Sequence, residues 1–138
     1  MSLNNEEREA VVMFRIEKAQ RAYREAKGVV EKQYWETIAN RLYYAAYNAV
    51  SSLLIANGDT AQTHQGIQVI FGKNFIKTGI IDTKYGSLYH KLFSMRLTGD
   101  YDDTYGLTEN DVLPLIEPTG DLIETVTELA KQKINNLH

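Results

Sequence analysis

Apolar positions recur with a helical period along almost the whole chain. Val12, Ile16, Ala19, Tyr23, Ala26 and Val30 follow one another at steps of four and three, the spacing of one helix face. Asn4 or Asn5 is placed to cap this first helix. Glu6, Glu7 and Glu9 suit the positive end of its dipole, and Gly28 ends or loosens it. A second helix is predicted from about Tyr34 to Ala56, closed by Asn57, Gly58 and Asp59. A third begins near Thr63 and ends near Gly79, with Ile67, Ile70, Phe71 and Phe75 inward. A fourth runs from about Asp82 to Leu97, with Tyr85, Leu88, Leu92 and Met95 on one side. The Gly- and Asp-rich stretch from Thr98 to Gly106 reads as a loop. The last helix starts at Thr108, with Asp111 at the capping-box position and Ile116, Ile123, Val126, Ala130 and Ile134 as its stripe. Pro114 and Pro118 kink or delay its first turns. No segment alternates with period two. The prediction is a single all-α domain over residues 1–138, an up-and-down bundle of four long helices plus a shorter one.

The second helix breaks the usual pattern. Ile38, Leu42, Ala45, Ala46, Ala49 and Leu53 form its apolar stripe. The opposite side carries Thr37, Arg41, Tyr44, Asn48 and Ser52, flanked by Asn40, Tyr47 and Ser51. Arg41 is the one charge between Thr37 and Gly58. Exposed helix faces are usually rich in Lys and Glu, so a polar face with a single charge points to cover, by another subunit or around a pocket. A covered guanidinium needs acceptors. They are either a carboxylate in an interface or a bound phosphate.

Composition narrows the chemistry. The 138 residues include no cysteine, which excludes disulfides, thiolate metal sites and a cysteine nucleophile, and fits a reducing, cytoplasmic setting. The uncharged run from Leu42 to Gly58 is too short and too polar for a membrane span. The net charge of −3 disfavours a strongly basic, non-specific nucleic-acid binder. The charge is uneven, however. Arg15, Lys18, Arg21, Arg24 and Lys27 crowd the first helix, whereas Leu97 to Glu128 holds acids and no base. The basic cluster is either an ordinary solvated surface or a binding one.

The segments NRLYYAAYNAVSSLL, THQGI, FIKTG and LFSMRLTGDYDD, in this order and spacing, resemble the HEPN superfamily. The resemblance is closest to its stand-alone bacterial and archaeal members, often encoded beside a small nucleotidyltransferase. It implies a helical bundle that pairs as a homodimer. It also implies a toxin-like ancestry, with RNA, a nucleotide or a nucleotidyltransferase antitoxin as partner and no cofactor. Many members of that superfamily are metal-independent endoribonucleases whose motif is an arginine followed, after four to six intervening residues, by a histidine. Arg41 matches the arginine, and Asn48 stands at the histidine position. An amide orients and hydrogen-bonds but does not titrate, so the catalytic pair Arg41 and Asn48 reads as degenerate. RNA or nucleotide binding is the resulting expectation. The alternatives are a protein-interaction module and an active endoribonuclease with another base.

Around that pair the candidate binding residues are Arg41, Tyr44, Tyr47, Asn48, His64, Arg96 and Tyr101. Tyr44 and Tyr47 are placed to stack on bases or to fill a protein interface. His64 is either a substitute base, if it approaches Arg41, or a capping and packing residue. Arg96 reaches a phosphate or pairs with Asp100. Asp100, Asp102 and Asp103 read as a solvated turn rather than a Mg²⁺ site, and no metal site is expected. His90 reads as a surface or core-edge residue and His138 as a loose terminus.

Overall fold

In the computed structural model, residues 3–101 and 106–138 are described, without the side chains of 97–101. Helix α1 (Asn5–Gly28) and helix α2 (Trp35–Ala56) are joined through a 3₁₀ turn at Val30–Lys32. Helix α3 (His64–Phe71) runs on into a π-type turn at Gly72–Ile76. Helix α4 is Thr83–Tyr101, α5 a single turn at Glu109–Val112, and α6 Ile116–Asn135 after a 3₁₀ turn at Leu113–Leu115. The described residues contain no strand. Four long helices and the shorter α3 make an all-α bundle.

The ends follow local chemistry. Asn4 caps α1: its Oδ1 accepts from the Glu7 N–H at 2.8 Å, and Glu7 Oε1 accepts from the Asn4 N–H at 3.0 Å. Thr63 caps α3 by accepting from the Gly66 N–H at 2.9 Å. Asp111 Oδ2 accepts from the Thr108 N–H at 2.9 Å, and these bonds hold its carboxyl below the usual range. Pro114 lacks the N–H that an α-helix would need there. The predicted last helix is therefore broken into α5, the 3₁₀ turn and α6, while Pro118 sits in the first turn of α6. The fourth helix extends past its predicted end at Leu97, through Tyr101.

The core is built mainly from α2. Ile38, Leu42, Ala45, Ala46, Ala49 and Leu53 are fully buried. Tyr43 and, on α4, Tyr89 are fully buried as well. The stripes of α1 and α6 meet this face through Val12, Ile16, Ala19, Val126, Ala130 and Ile134. Helix α1 runs antiparallel to α2, since Arg8 lies against Ile55 and Glu25 against Arg41. It runs antiparallel to α6 too. The Tyr23 hydroxyl donates to the Ile116 carbonyl at 2.9 Å, and the Asn5 amide donates to the Leu137 carbonyl at 3.2 Å. Tyr23 crosses directly over Gly120, where a Cβ would stand 2.5 Å from the phenolic oxygen. His138, expected to be loose, bonds Glu9 at 2.9 Å and closes the α1/α6 end.

Two substitutions separate core from cap. Leu122→Ala removes a fully buried side chain and should cost roughly 2–5 kcal/mol. Asn4→Ala should cost about 0.5–2 kcal/mol by opening the capping box. Urea unfolding followed by circular dichroism reads both, and a smaller loss at Leu122 than at Asn4 would contradict the packing described.

Candidate functional site

The polar face of α2 is only partly covered within the chain. Asn48, Ser51 and Ser52 are 6%, 5% and 0% exposed, whereas Arg41 and Tyr44 are half-buried and Thr37 is exposed. Three polar rungs cross the α1/α2 seam. Arg8 Nη1 donates to the Ile55 carbonyl at 2.6 Å, Arg15 Nη1 donates to Asn48 Oδ1 at 3.0 Å, and Arg41 Nη1 reaches Glu25 Oε1 at 3.5 Å. Arg8 and Arg15 are seven residues apart, as are Arg41, Asn48 and Ile55. Two turns of helix bring such residues back to nearly the same side. Asn48 donates its Nδ2 to the Tyr44 carbonyl at 2.9 Å, so both ends of its amide are engaged.

The acceptor that Arg41 finds is thus within the subunit, but it is a weak one. The Arg41 and Glu25 side chains are 35% and 53% exposed and 3.5 Å apart, and pairs of that kind are strongly screened. Asn40 Oδ1 holds the guanidinium more firmly, accepting from Nη2 at 2.9 Å and Nε at 3.3 Å. Arg41, Tyr44 and Asn48 line one cavity of ≈ 320 Å³ between α1 and α2, together with Lys18, Arg21 and Glu25. Three cations face one carboxylate there. The basic cluster of α1 is therefore divided: Lys18 and Arg21 line this groove, Arg15 bonds its inner wall, and Arg24 lines a separate depression against α6.

A second group of side chains adjoins the groove through Tyr44. The Arg41 guanidinium lies 5.4 Å from the Tyr44 ring centre and the Arg96 guanidinium 5.6 Å from it, so the ring has two cations in contact. Arg96 also lies 5.5 Å from the Tyr43 ring. His64 packs edge-on to Tyr44 at 6.0 Å and stacks on Tyr47 at 4.4 Å. Of the sequence candidates, Arg41, Tyr44, Tyr47, Asn48, His64 and Arg96 come together in this neighbourhood. Tyr101 and Asp100 fall among the side chains outside the described set, as do Asp102 and Asp103. His90 lies apart on the surface, where Gln68 Nε2 and its Nδ1 are 2.7 Å apart. Among the described residues no cluster of His, Asp and Glu could hold a metal ion, and no helix is long and apolar enough to cross a membrane.

His64 Nδ1 is 2.6 Å from the Tyr43 hydroxyl. Burial pushes the Tyr43 phenol up to about 12, with the neighbouring Tyr89 and Arg96 pulling the other way, so it keeps its proton at neutral pH. Tyr89 is buried beside it and is also raised, mainly by burial. The Tyr43 hydroxyl thus sits between His64 Nδ1 and the Tyr89 hydroxyl, and the pair His64–Tyr43 shares one proton donor. Burial first, and Arg96 second, hold the His64 pKa below the ordinary 6.5, so the neutral ring is favoured.

The residues that sequence reasoning missed are Tyr43, which bonds His64 Nδ1, and Arg8. The seven-residue spacing of Arg8 and Arg15 against Asn48 and Ile55 is the signal that could have found the rungs.

The family model of the HEPN domain matches residues 12–130. A "UPF0332 protein" of Thermotoga maritima is 28% identical over 89% of this chain and 93% of that protein. Two proteins of Methanocaldococcus jannaschii, each named "Putative toxin", are 26% identical. One match covers 94% of this chain and 96% of the relative. The other covers 70% and 65%.

His64 titration tests this environment. By NMR it should titrate below 6.5, because burial and then Arg96 oppose its charged form. Because the folded pKa is depressed, its contribution to stability is complete above 6.5 and is lost as pH falls from 6.5 through the folded value. Titration above 6.5 would contradict this geometry.

Proposed function

The chain belongs to the HEPN family, and on that premise we propose that it is a toxin-like HEPN protein that binds single-stranded RNA or a nucleotide through the α1/α2 groove. The observation that carries this reading is the groove's charge: Lys18, Arg21 and Arg41 against Glu25 alone, on a chain whose net charge is −3. A local excess of cations on an acidic protein suits a phosphate. The planar Arg41 guanidinium suits two phosphate oxygens at once. Tyr44, only partly buried and flanked by Arg41 and Arg96, offers a face on which a base can stack. The toxin name carried by two relatives is consistent with an RNA target, though it states none.

The reading keeps the catalytic pair degenerate. Cleavage without metal needs the 2′-hydroxyl deprotonated and the leaving oxygen protonated. Asn48 does neither, and its amide is held by Arg15 and the Tyr44 carbonyl. His64 has its Nδ1 engaged with the Tyr43 hydroxyl. Binding without turnover is what these groups favour.

A fluorescein-labelled RNA hexamer followed by anisotropy tests it. The wild type should bind, with affinity falling as salt rises. Arg41→Ala combined with Lys18→Ala should lower affinity about tenfold or more, and the RNA should be recovered intact. Salt-insensitive binding, or binding unchanged in the double variant, would sink the proposal.

Homodimerisation belongs to the same reading. Met13 and Phe14 are 44% and 55% exposed side by side on α1, and the Phe14 ring lies 5.2 Å from Lys18 Nζ, beside the groove. A second copy is the cover that we assign to them. Light scattering at tens of micromolar should give a dimer, and Phe14→Glu should give a folded monomer. A monomeric wild type would remove this part of the proposal.

A further inference from the structure

The α1/α2 seam opens into a second cavity, beyond Asn48. It measures ≈ 350 Å³ and lies between the first half of α1, the last turns of α2 and the α2/α3 loop. That is within the usual range for small-ligand sites, about 300–1,000 Å³. Tyr47, Leu54 and Ile67 give it apolar walls. Its polar groups are incompletely satisfied. Ser51 is 5% exposed, and its hydroxyl, buried at the cavity wall, has no hydrogen-bond partner among the described residues. Arg15, half-buried, donates Nη1 to Asn48, and its guanidinium carries further N–H donors beyond that bond. Across the cavity stands one carboxylate, Asp59, held in place by the Asn57 and Asn74 amides at 2.9 and 3.1 Å.

We propose that this cavity is a base-recognition pocket for guanine, with the Arg15 guanidinium meeting its acceptors and the Asp59 carboxylate its donors. Guanine presents two adjacent acceptors, O6 and N7, that an arginine takes as a pair. Its N1–H and N2–H₂ edge gives hydrogen bonds to a carboxylate. Adenine puts an amino group where guanine has O6, so it would set donors against Arg15. Pyrimidines are smaller and leave the apolar walls partly bare. An inorganic anion gains nothing from those walls and is repelled by Asp59. The seam joins this pocket to the phosphate groove: Arg15 lines the pocket, and its partner Asn48 lines the groove. From Arg41 to Ser51 the helix rises about 15 Å, a span of two to three extended nucleotides. The proposal deepens the RNA-binding reading and rests on it for the strand. The base itself could come from RNA or from a free nucleotide.

The chain is titrated with four probes: a uridine hexamer carrying one central guanine, the same hexamer carrying adenine, free GMP and free AMP. The guanine hexamer should bind roughly tenfold tighter than the adenine one, and GMP should displace it where AMP does not. Asp59→Asn, checked for folding by thermal denaturation, should lower the guanine preference at least about threefold, with the adenine hexamer unchanged. If the hexamers bind alike in an Arg41-dependent way, the pocket falls and the RNA-binding reading stands. If GMP binds in preference to AMP while neither hexamer binds, the pocket stands and the RNA reading falls. Guanine preference undiminished in Asp59→Asn overturns the assignment to this cavity.

Discussion

The arginine–amide contact between α1 and α2 is the constraint from which most of this structure follows. A helix that buries Asn48, Ser51 and Ser52 along one side cannot be covered by an ordinary apolar stripe, because each buried polar atom needs a partner. Helix α1 supplies donors at a seven-residue interval, Arg8 to the Ile55 carbonyl and Arg15 to the Asn48 amide. The Ser52 hydroxyl is satisfied within its own helix, by the Ala49 carbonyl at 2.6 Å. Ser51 is not, and the second cavity lies where it is left. Arginine suits the seam because its stem packs along apolar surface while several donors remain at its tip. The cations that hold the helices together thus also line the space between them.

That arrangement explains why the fold was legible and its covered face was not. Periodicity alone located the stripes of α1 and α6, since Val12, Ile16, Ala19, Val126, Ala130 and Ile134 are all buried. Pro114 marked the interruption before α6, and Asn4 marked the start of α1. The interior of α4 was read less well: Tyr89, fully buried among Tyr43 and Phe71, has a hydroxyl that hides its core role. The absence of charge on α2 implied cover by a second subunit or around a pocket. Within the chain Asn48, Ser51 and Ser52 are buried while Thr37 is exposed, and period does not say which element covers a face. An intrachain neighbour and a second subunit leave the same mark on a sequence. The π-type turn after α3 has no local signature in Gly72–Ile76 that distinguishes it from a continued α-helix.

The site shows the same division. Arg41 and Asn48 fall on one helix face by arithmetic alone, and they line one groove. His64 is brought beside Tyr44 and Tyr47 by the return of the chain after α2, a tertiary event that the spacing of residues cannot reveal. It meets Tyr43 there, a residue that the sequence offers as plain core. Burial, and then the Arg96 charge, disfavour the charged form of the imidazole.

The nature of residue 48 connects the seam to the chemistry. An asparagine there presents Oδ1 to Arg15 and Nδ2 to a carbonyl, so donor and acceptor match on both sides. An imidazole in the same place has one acceptor nitrogen when neutral and none when charged. Next to the Arg15 guanidinium its charged form would be disfavoured, which would keep it neutral and available to accept a proton. It could not, however, satisfy Arg15 and accept a substrate proton through the same nitrogen. The amide resolves that conflict in favour of the helix pair. Asn48 therefore does more than lack a titrating group: it commits the position to packing between the two helices.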